Sequence, residues 1–151
     1  MVKAWETKNS IIKNIEKMIS QKVINPILPE KWYKQIIIKG EGRGKKLGFP
    51  TINFNSKGLN FAFGVYLCQI KINNKTFKGL LHYGPKLTFK QKNPSAEVFI
   101  LNFDKKIKLN QMINFKLENF LRQTKKFKTS KDLIKQIKKD IKSITDKEKN
   151  V

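Results

Sequence analysis

The sequence predicts a mainly β chain, a six-stranded antiparallel barrel with a short N-terminal helix and a C-terminal helix. Three observations carry this. Between residues 33 and 121 the apolar residues come in short runs broken by Gly, Pro and Asn. No helical period interrupts those runs, which excludes parallel βαβ units. At both ends of the chain the apolar spacing changes to that of a helix.

The elements follow in order. Residues 9–21 place Ile11, Ile12, Ile15, Met18 and Ile19 on one helical face, with Asn9 or Ser10 as cap. Pro26 and Pro29 end that helix and make residues 25–30 a connector. Strands are expected at 33–39 and around 51–54. Residues 64–72 alternate, with Tyr66, Cys68, Ile70 and Ile72 on one face and Val65, Leu67, Gln69 and Lys71 on the other. Asn73-Asn74 suits a two-residue turn because Asn tolerates positive φ, so residues 76–82 form the hairpin partner. Residues 96–103 give another strand. In 112–121, Ile113, Phe115 and Leu117 alternate with Asn114, Lys116 and Glu118. Finally, residues 130–145 carry Leu133, Ile134, Ile137, Ile141 and Ile144 on one stripe, and Thr129 with Asp132 makes a capping box.

Composition bounds the function. A length of 151 residues suits one domain, and a hydrophobic content of 39% supports a real core, against a disordered basic tail. The net charge of +22 invites a nucleic-acid partner, but 31 of the 33 basic residues are Lys and only Arg43 and Arg122 are Arg. The lysines are also spread along the whole chain, so a solvated surface with weak polyanion attraction is the preferred reading, with no specific nucleic acid. No apolar run approaches the roughly 18 residues that cross a bilayer, so no membrane partner is expected. One cysteine, Cys68, excludes an internal disulfide and fits a reducing, cytoplasmic setting. A monomer is expected.

The stretch 39–55, KGEGRGKKLGFPTINFN, holds Gly40, Gly42, Gly44 and Gly48. A glycine-dense loop lets backbone N–H groups approach an anion, and Arg43, Lys45 and Lys46 add positive charge. It lacks the Gly-Lys-Ser/Thr ending of a P-loop and the third glycine of a dinucleotide fingerprint, so on glycine count alone a mobile, tight turn is the preferred reading. Thr51 and Asn53, two apart on a strand, share one face; their neutral oxygens suit either a hard cation such as magnesium or an ordinary polar surface. Between this loop and Arg122 there are only three acids, Glu97, Asp104 and Glu118. Glu97 alternates in phase with Phe99, Leu101 and Phe103, so its carboxylate points towards an apolar face, where an acid is paired, ligand-facing or costly. The other reading is a surface Glu at a strand end.

The run Ile37-x-x-Gly40-x-x-Arg43-Gly44-x-x-Leu47-Gly48-Phe49-Pro50-Thr51-x-Asn53 closely resembles the signature of riboflavin kinases. Further segments match in order: Gly64-Val65-Tyr66, Gly84 with Thr88-Phe89, Ala96-Glu97-Val98 with Ile100 and Phe103, and Leu121-Arg122 with Phe127. The resemblance implies a Greek-key barrel with a C-terminal helix packed on it. It implies transfer of the ATP γ-phosphoryl group to the riboflavin 5′-hydroxyl, giving FMN and ADP with Mg2+. On the matching positions, Thr51 and Asn53 fall at the magnesium and phosphate site and Glu97 at the catalytic base. Gly40, Arg43, Gly44, Gly48, Phe49 and Pro50 fall in the nucleotide-covering segment, and Arg122 on the flavin side. Riboflavin and ATP are the implied partners.

The chain departs from the family pattern in places. Phe99 stands where a histidine is usual, Leu87 replaces a proline, Thr124 replaces an acid, and the Tyr-Gly expected within 105–111 is missing. His82, the only histidine, stands where Asn is frequent, and reads as a strand-end polar residue. These changes bear on flavin affinity and loop ordering; Thr51, Asn53 and Glu97 all remain. Residues 1–30 resemble the end of the adenylyltransferase module of bifunctional FAD synthetases, and 31–148 form the kinase domain. A single histidine cannot supply a nucleotidyl-transfer motif, so FMN and not FAD is the expected product. Two alternatives stand beside this reading: a non-catalytic basic barrel that binds nucleic acid, and a decayed kinase that only binds flavin.

Overall fold

A computed structural model describes residues 2–21, 26–86, 88 and 93–149. Six strands close into a barrel: β1 (Tyr33–Ile38), β2 (Ile52–Phe54), β3 (Gly64–Ile72), β4 (Lys75–Pro85), β5 (Pro94–Ile100) and β6 (Met112–Arg122). All neighbours are antiparallel in the order β1-β2-β5-β4-β3-β6. β3, β4 and β5 form a meander and β6 returns beside β3, which is the Greek-key connection. Asn73 and Asn74 make the β3–β4 turn at φ 49° and 64°, as the sequence requires. Helix α1 (Val2–Gln21) precedes the barrel, the single turn α2 (Arg43–Lys46) lies between β1 and β2, and α3 (Ser130–Lys149) follows β6.

The period of two divides the apolar side chains between two cores. Tyr66, Cys68, Ile70, Leu81, Val98, Phe115 and Leu117 fill the barrel interior. Aromatic rings dominate there: Phe115 stacks on Tyr33 at 5.0 Å and on Phe54 at 5.1 Å. Burial pushes the Tyr66 hydroxyl up to about 12, while that hydroxyl donates to the Ala62 carbonyl at 2.5 Å. The Cys68 thiol is raised as well by full burial, so it packs as a small apolar group. Val65, Leu67 and Leu80 point outwards and meet Ile137, Ile141 and Ile144 of α3. The last helix thus covers one side of the barrel with the stripe its sequence provides. Its start is fixed where expected, the Asp132 N–H donating to Thr129 Oγ1 at 3.1 Å.

Two local expectations differ. β5 begins earlier than residue 96 and stops at Ile100, because Asn102 turns the chain at φ 55°. Phe103 therefore leaves the phase of Glu97, Phe99 and Leu101; it packs edge-on against Phe77 at 5.0 Å beside the interior core. Helix α1 begins well before residue 9, and its Ile11, Ile12 and Ile15 remain 44–53% exposed. The side chains of Met18 and Ile19, on the same expected face, lie outside those described, as do Leu87 and Phe89.

Arg122, at the end of β6, clamps α3 to the barrel. Its Nε donates to both oxygens of Asp140 at 3.2 and 3.0 Å, and its Nη2 lies 2.9 Å from Oδ2. Gln136 Nε2 adds a donor to Oδ1 at 2.8 Å, and Asp140 is only 5% exposed. Removing one partner of such a pair leaves the other charge buried and unmatched. Asp140→Leu is expected to lower stability by roughly 3 kcal/mol, read from urea unfolding of the variant against the parent.

Candidate active site

A cleft opens between the outer barrel wall, the glycine segment and α3, with about 870 Å³ of empty space including its mouth. One rung of the sheet supplies much of its wall. Asn53 of β2 pairs with Glu97 of β5, Glu97 with His82 of β4, His82 with Val65 of β3, and Val65 with Arg122 of β6. Residues opposite one another across antiparallel strands point to the same face, so this rung is displayed outwards. Four of its members, Glu97, His82, Val65 and Arg122, line the cleft.

Glu97 is the centre of the polar contacts. Thr51 Oγ1 donates to its Oε2 at 3.1 Å, and Lys86 Nζ lies 3.1 Å from the same oxygen. The apolar surroundings expected for this acid are present, and aromatic rings contribute to them. Phe99 and Phe49 meet edge-on at 5.6 Å, and Phe127 brings a third ring from the segment before α3. Leu133 and Ile137 add the apolar face of the helix.

The glycine segment is folded into a turn. The N–H groups of Lys46, Leu47, Gly48 and Phe49 all bond to carbonyls of residues 42–45. Those four amides close the turn and are not turned towards an anion. Close approach explains two of the glycines: a Cβ on Gly40 would sit 2.0 Å from Asn53 Nδ2, and one on Gly44 would sit 2.3 Å from the Phe49 carbonyl oxygen. Gly42 and Gly48 take positive φ, 71° and 90°. Arg43 pairs with Glu41 at 2.7 Å and, with Gly44, Phe49 and Thr51, lines the cleft. Gly40, Gly48, Pro50 and Asn53 do not reach that lining; Asn53 is seated beneath Gly40. Arg122 lines the cleft while held by Asp140.

The family sequence pattern described as Flavokinase, riboflavin kinase, matches residues 31–147. The chain belongs to the riboflavin kinase family. Among curated riboflavin kinase relatives, it is 33% identical over 125 residues to the bifunctional riboflavin kinase/FMN adenylyltransferase of Bacillus subtilis (strain 168), covering 77% of this chain and 38% of that protein. The bifunctional riboflavin kinase/FMN adenylyltransferase of Listeria monocytogenes is 36% identical over 110 residues, covering 71% of this chain and 35% of that protein. The RNA-binding riboflavin kinase RibR of Bacillus subtilis is 34% identical over 109 residues, covering 70% of this chain and 46% of that protein. The chain thus spans less than half the length of each of these relatives. A solved structure described as a macrolide-efflux protein from Streptococcus pneumoniae matches with TM-score 0.66 at 23% identity, over 75% of this chain and 38% of that one. That likeness is one of fold.

Three residues in or behind this candidate site are not marked as functional by the sequence. Lys86 is one of 31 lysines, and Asp140 lies in a helix whose dominant pattern is its apolar stripe. His82 faces the cleft instead of merely ending a strand, and its buried Nδ1 has no hydrogen-bond partner among the described residues. Desolvation lowers the His82 pKa from its ordinary 6.5; Glu97 opposes this, and Lys86 and Arg122 reinforce it. The unfolded chain therefore takes up the proton first as pH falls. Stability should be fully present above pH ~6.5 and decline below it, by at most about 1.4 kcal/mol per pH unit from this residue. His82→Asn should flatten that decline, measured by urea unfolding at pH 7.5 and 5.5.

Proposed function

We propose that the chain phosphorylates the 5′-hydroxyl of riboflavin at the expense of ATP, giving FMN and ADP. The observation that carries this reading is Glu97, an acid held in a ring-lined cleft beside Thr51 in a member of the riboflavin kinase family. A primary alcohol needs an acceptor for its proton as it attacks the γ-phosphorus, and Glu97 is the acid in position to accept it. The bond from the hydroxyl oxygen to phosphorus forms, the bond from phosphorus to the β–γ bridging oxygen breaks, and the proton passes to the carboxylate. Phe49, Phe99 and Phe127 offer flat apolar surface for an isoalloxazine ring, and the clamped Arg122 fixes that side of the cleft. Arg43 and the turn around Gly44 lie beside Thr51, where the nucleotide phosphates would run.

The residues present fit magnesium. Thr51 offers a neutral oxygen in the cleft, hydrogen-bonded to Glu97, and Asn53 stands opposite Glu97 on the neighbouring strand, just outside the lining, with its amide seated against Gly40. A small hard cation accepts such donors with waters and substrate phosphates completing its shell. When bound, it would neutralise charge on the transferring phosphoryl group.

Incubation of the chain with riboflavin, ATP and Mg2+ should yield FMN on chromatography, and chelation of the metal should stop it. Glu97→Gln should lower kcat by roughly 10²–10⁴. Undiminished turnover in that variant removes Glu97 from the role, and flavin binding without FMN points to a decayed kinase.

A second reading has its own observation: one relative is named an RNA-binding riboflavin kinase, and this chain carries +22. We assign that charge to weak, sequence-independent attraction. Oligonucleotide binding should fall steeply as salt rises from 50 to 200 mM, without preference among sequences. Tight binding of one RNA that survives this titration would favour a specific nucleic-acid role.

A further inference from the structure

Lys86 differs from the rest of this chain's lysines. Among those whose burial is described, only Lys78, Lys86 and Lys116 are not exposed. The Lys86 side chain retains only 10% of its exposure, against 40% for Lys78. A lysine is withdrawn from water this far only when its charge is matched. Its match is Oε2 of Glu97 at 3.1 Å, the oxygen that also accepts from Thr51.

The pair adds no connection that the sheet lacks. β4 and β5 are already joined by a continuous ladder from Gly79–Ile100 to Pro85–Pro94, and Lys86 is the first residue beyond it. Its side chain instead turns into the wall of the cleft. The Thr51 hydroxyl and the Lys86 ammonium both meet Oε2, while Oε1 accepts no hydrogen bond from a described residue.

We propose that Lys86 is a positioning residue for phosphoryl transfer: it pins one oxygen of Glu97 so that the other is presented to the substrate hydroxyl. The proposal rests on the kinase reading above. It assigns to Lys86 an effect exerted through Glu97, on turnover and not on flavin binding.

The test is a double-mutant cycle in the FMN-forming assay. Lys86→Met should lower kcat by roughly 10- to 100-fold, the scale of a misplaced reacting group, with the KM for riboflavin changed less than about threefold. Lys86→Arg should recover part of the loss, because it restores the charge with a different reach. In the Glu97→Gln background, Lys86→Met should cost less than about threefold, since the carboxylate it holds is already gone. Lys86→Gln provides a second variant, and thermal unfolding of each reports whether the fold is retained. Wild-type turnover in folded Lys86→Met or Lys86→Gln would overturn the proposal. So would a loss that persists in full in the Glu97→Gln background with a raised KM for ATP, which would make Lys86 a phosphate ligand. If the parent chain forms no FMN, the kinase reading falls and this proposal with it; an active parent with unimpaired Lys86 variants removes this proposal alone.

Discussion

Closure of the barrel sets everything else in this molecule. Once six strands join edge to edge, each side chain must face either a sealed interior or the outside, and a one-residue slip exchanges the two. The interior is occupied by Tyr66, Phe54, Phe115 and their neighbours. The cleft lies instead on the outer wall. There the rung Asn53, Glu97, His82, Val65 and Arg122 crosses five of the six strands, so residues distant in sequence become neighbours through register alone.

An exposed wall would not make a site, because carboxylates and ammonium groups in water interact weakly. The glycine turn and α3 close over it and change that. Phe49 comes from the first, Leu133 and Ile137 from the second, and together they enclose the Glu97 cluster in apolar surface. The arrangement costs polar groups their water, and the structure offsets this pairwise: Glu97 with Thr51 and Lys86, Asp140 with Arg122 and Gln136. The buried Nδ1 atom of His82 has no hydrogen-bond partner among the described residues, and desolvation makes its imidazole reluctant to take a proton.

Much of this was legible in the sequence. Alternation located all six strands within a few residues, Asn73-Asn74 named its own turn, and the Ile137-Ile141-Ile144 stripe announced a packed helix. The phase of Glu97 with Phe99 was likewise readable, because period two is local. Pairing across strands was not. Nothing in the spacing of Lys86, His82 and Asp140 says that they meet Glu97 and Arg122, since register depends on which edges join. The glycines misled for a related reason. Their count suggests amides left open for an anion, but close packing of Gly40 on Asn53 and Gly44 on Phe49 explains two of the four without any ligand.

The cleft also has a place in time. Its walls are drawn from α2 and the segment after it, β3, β4, β5, β6 and α3, so the first residue of the lining, Arg43, lies more than ninety positions before Ile137, the last. During synthesis the β3–β4 hairpin has all its contacts early, whereas β1 must wait for β6 before the barrel can close. The apolar stripe of Val65, Leu67 and Leu80 stays uncovered until α3 has emerged. A chain whose α3 has not yet packed thus carries a sheet with no pocket on it, and ligand can favour the fold only once that helix is in place.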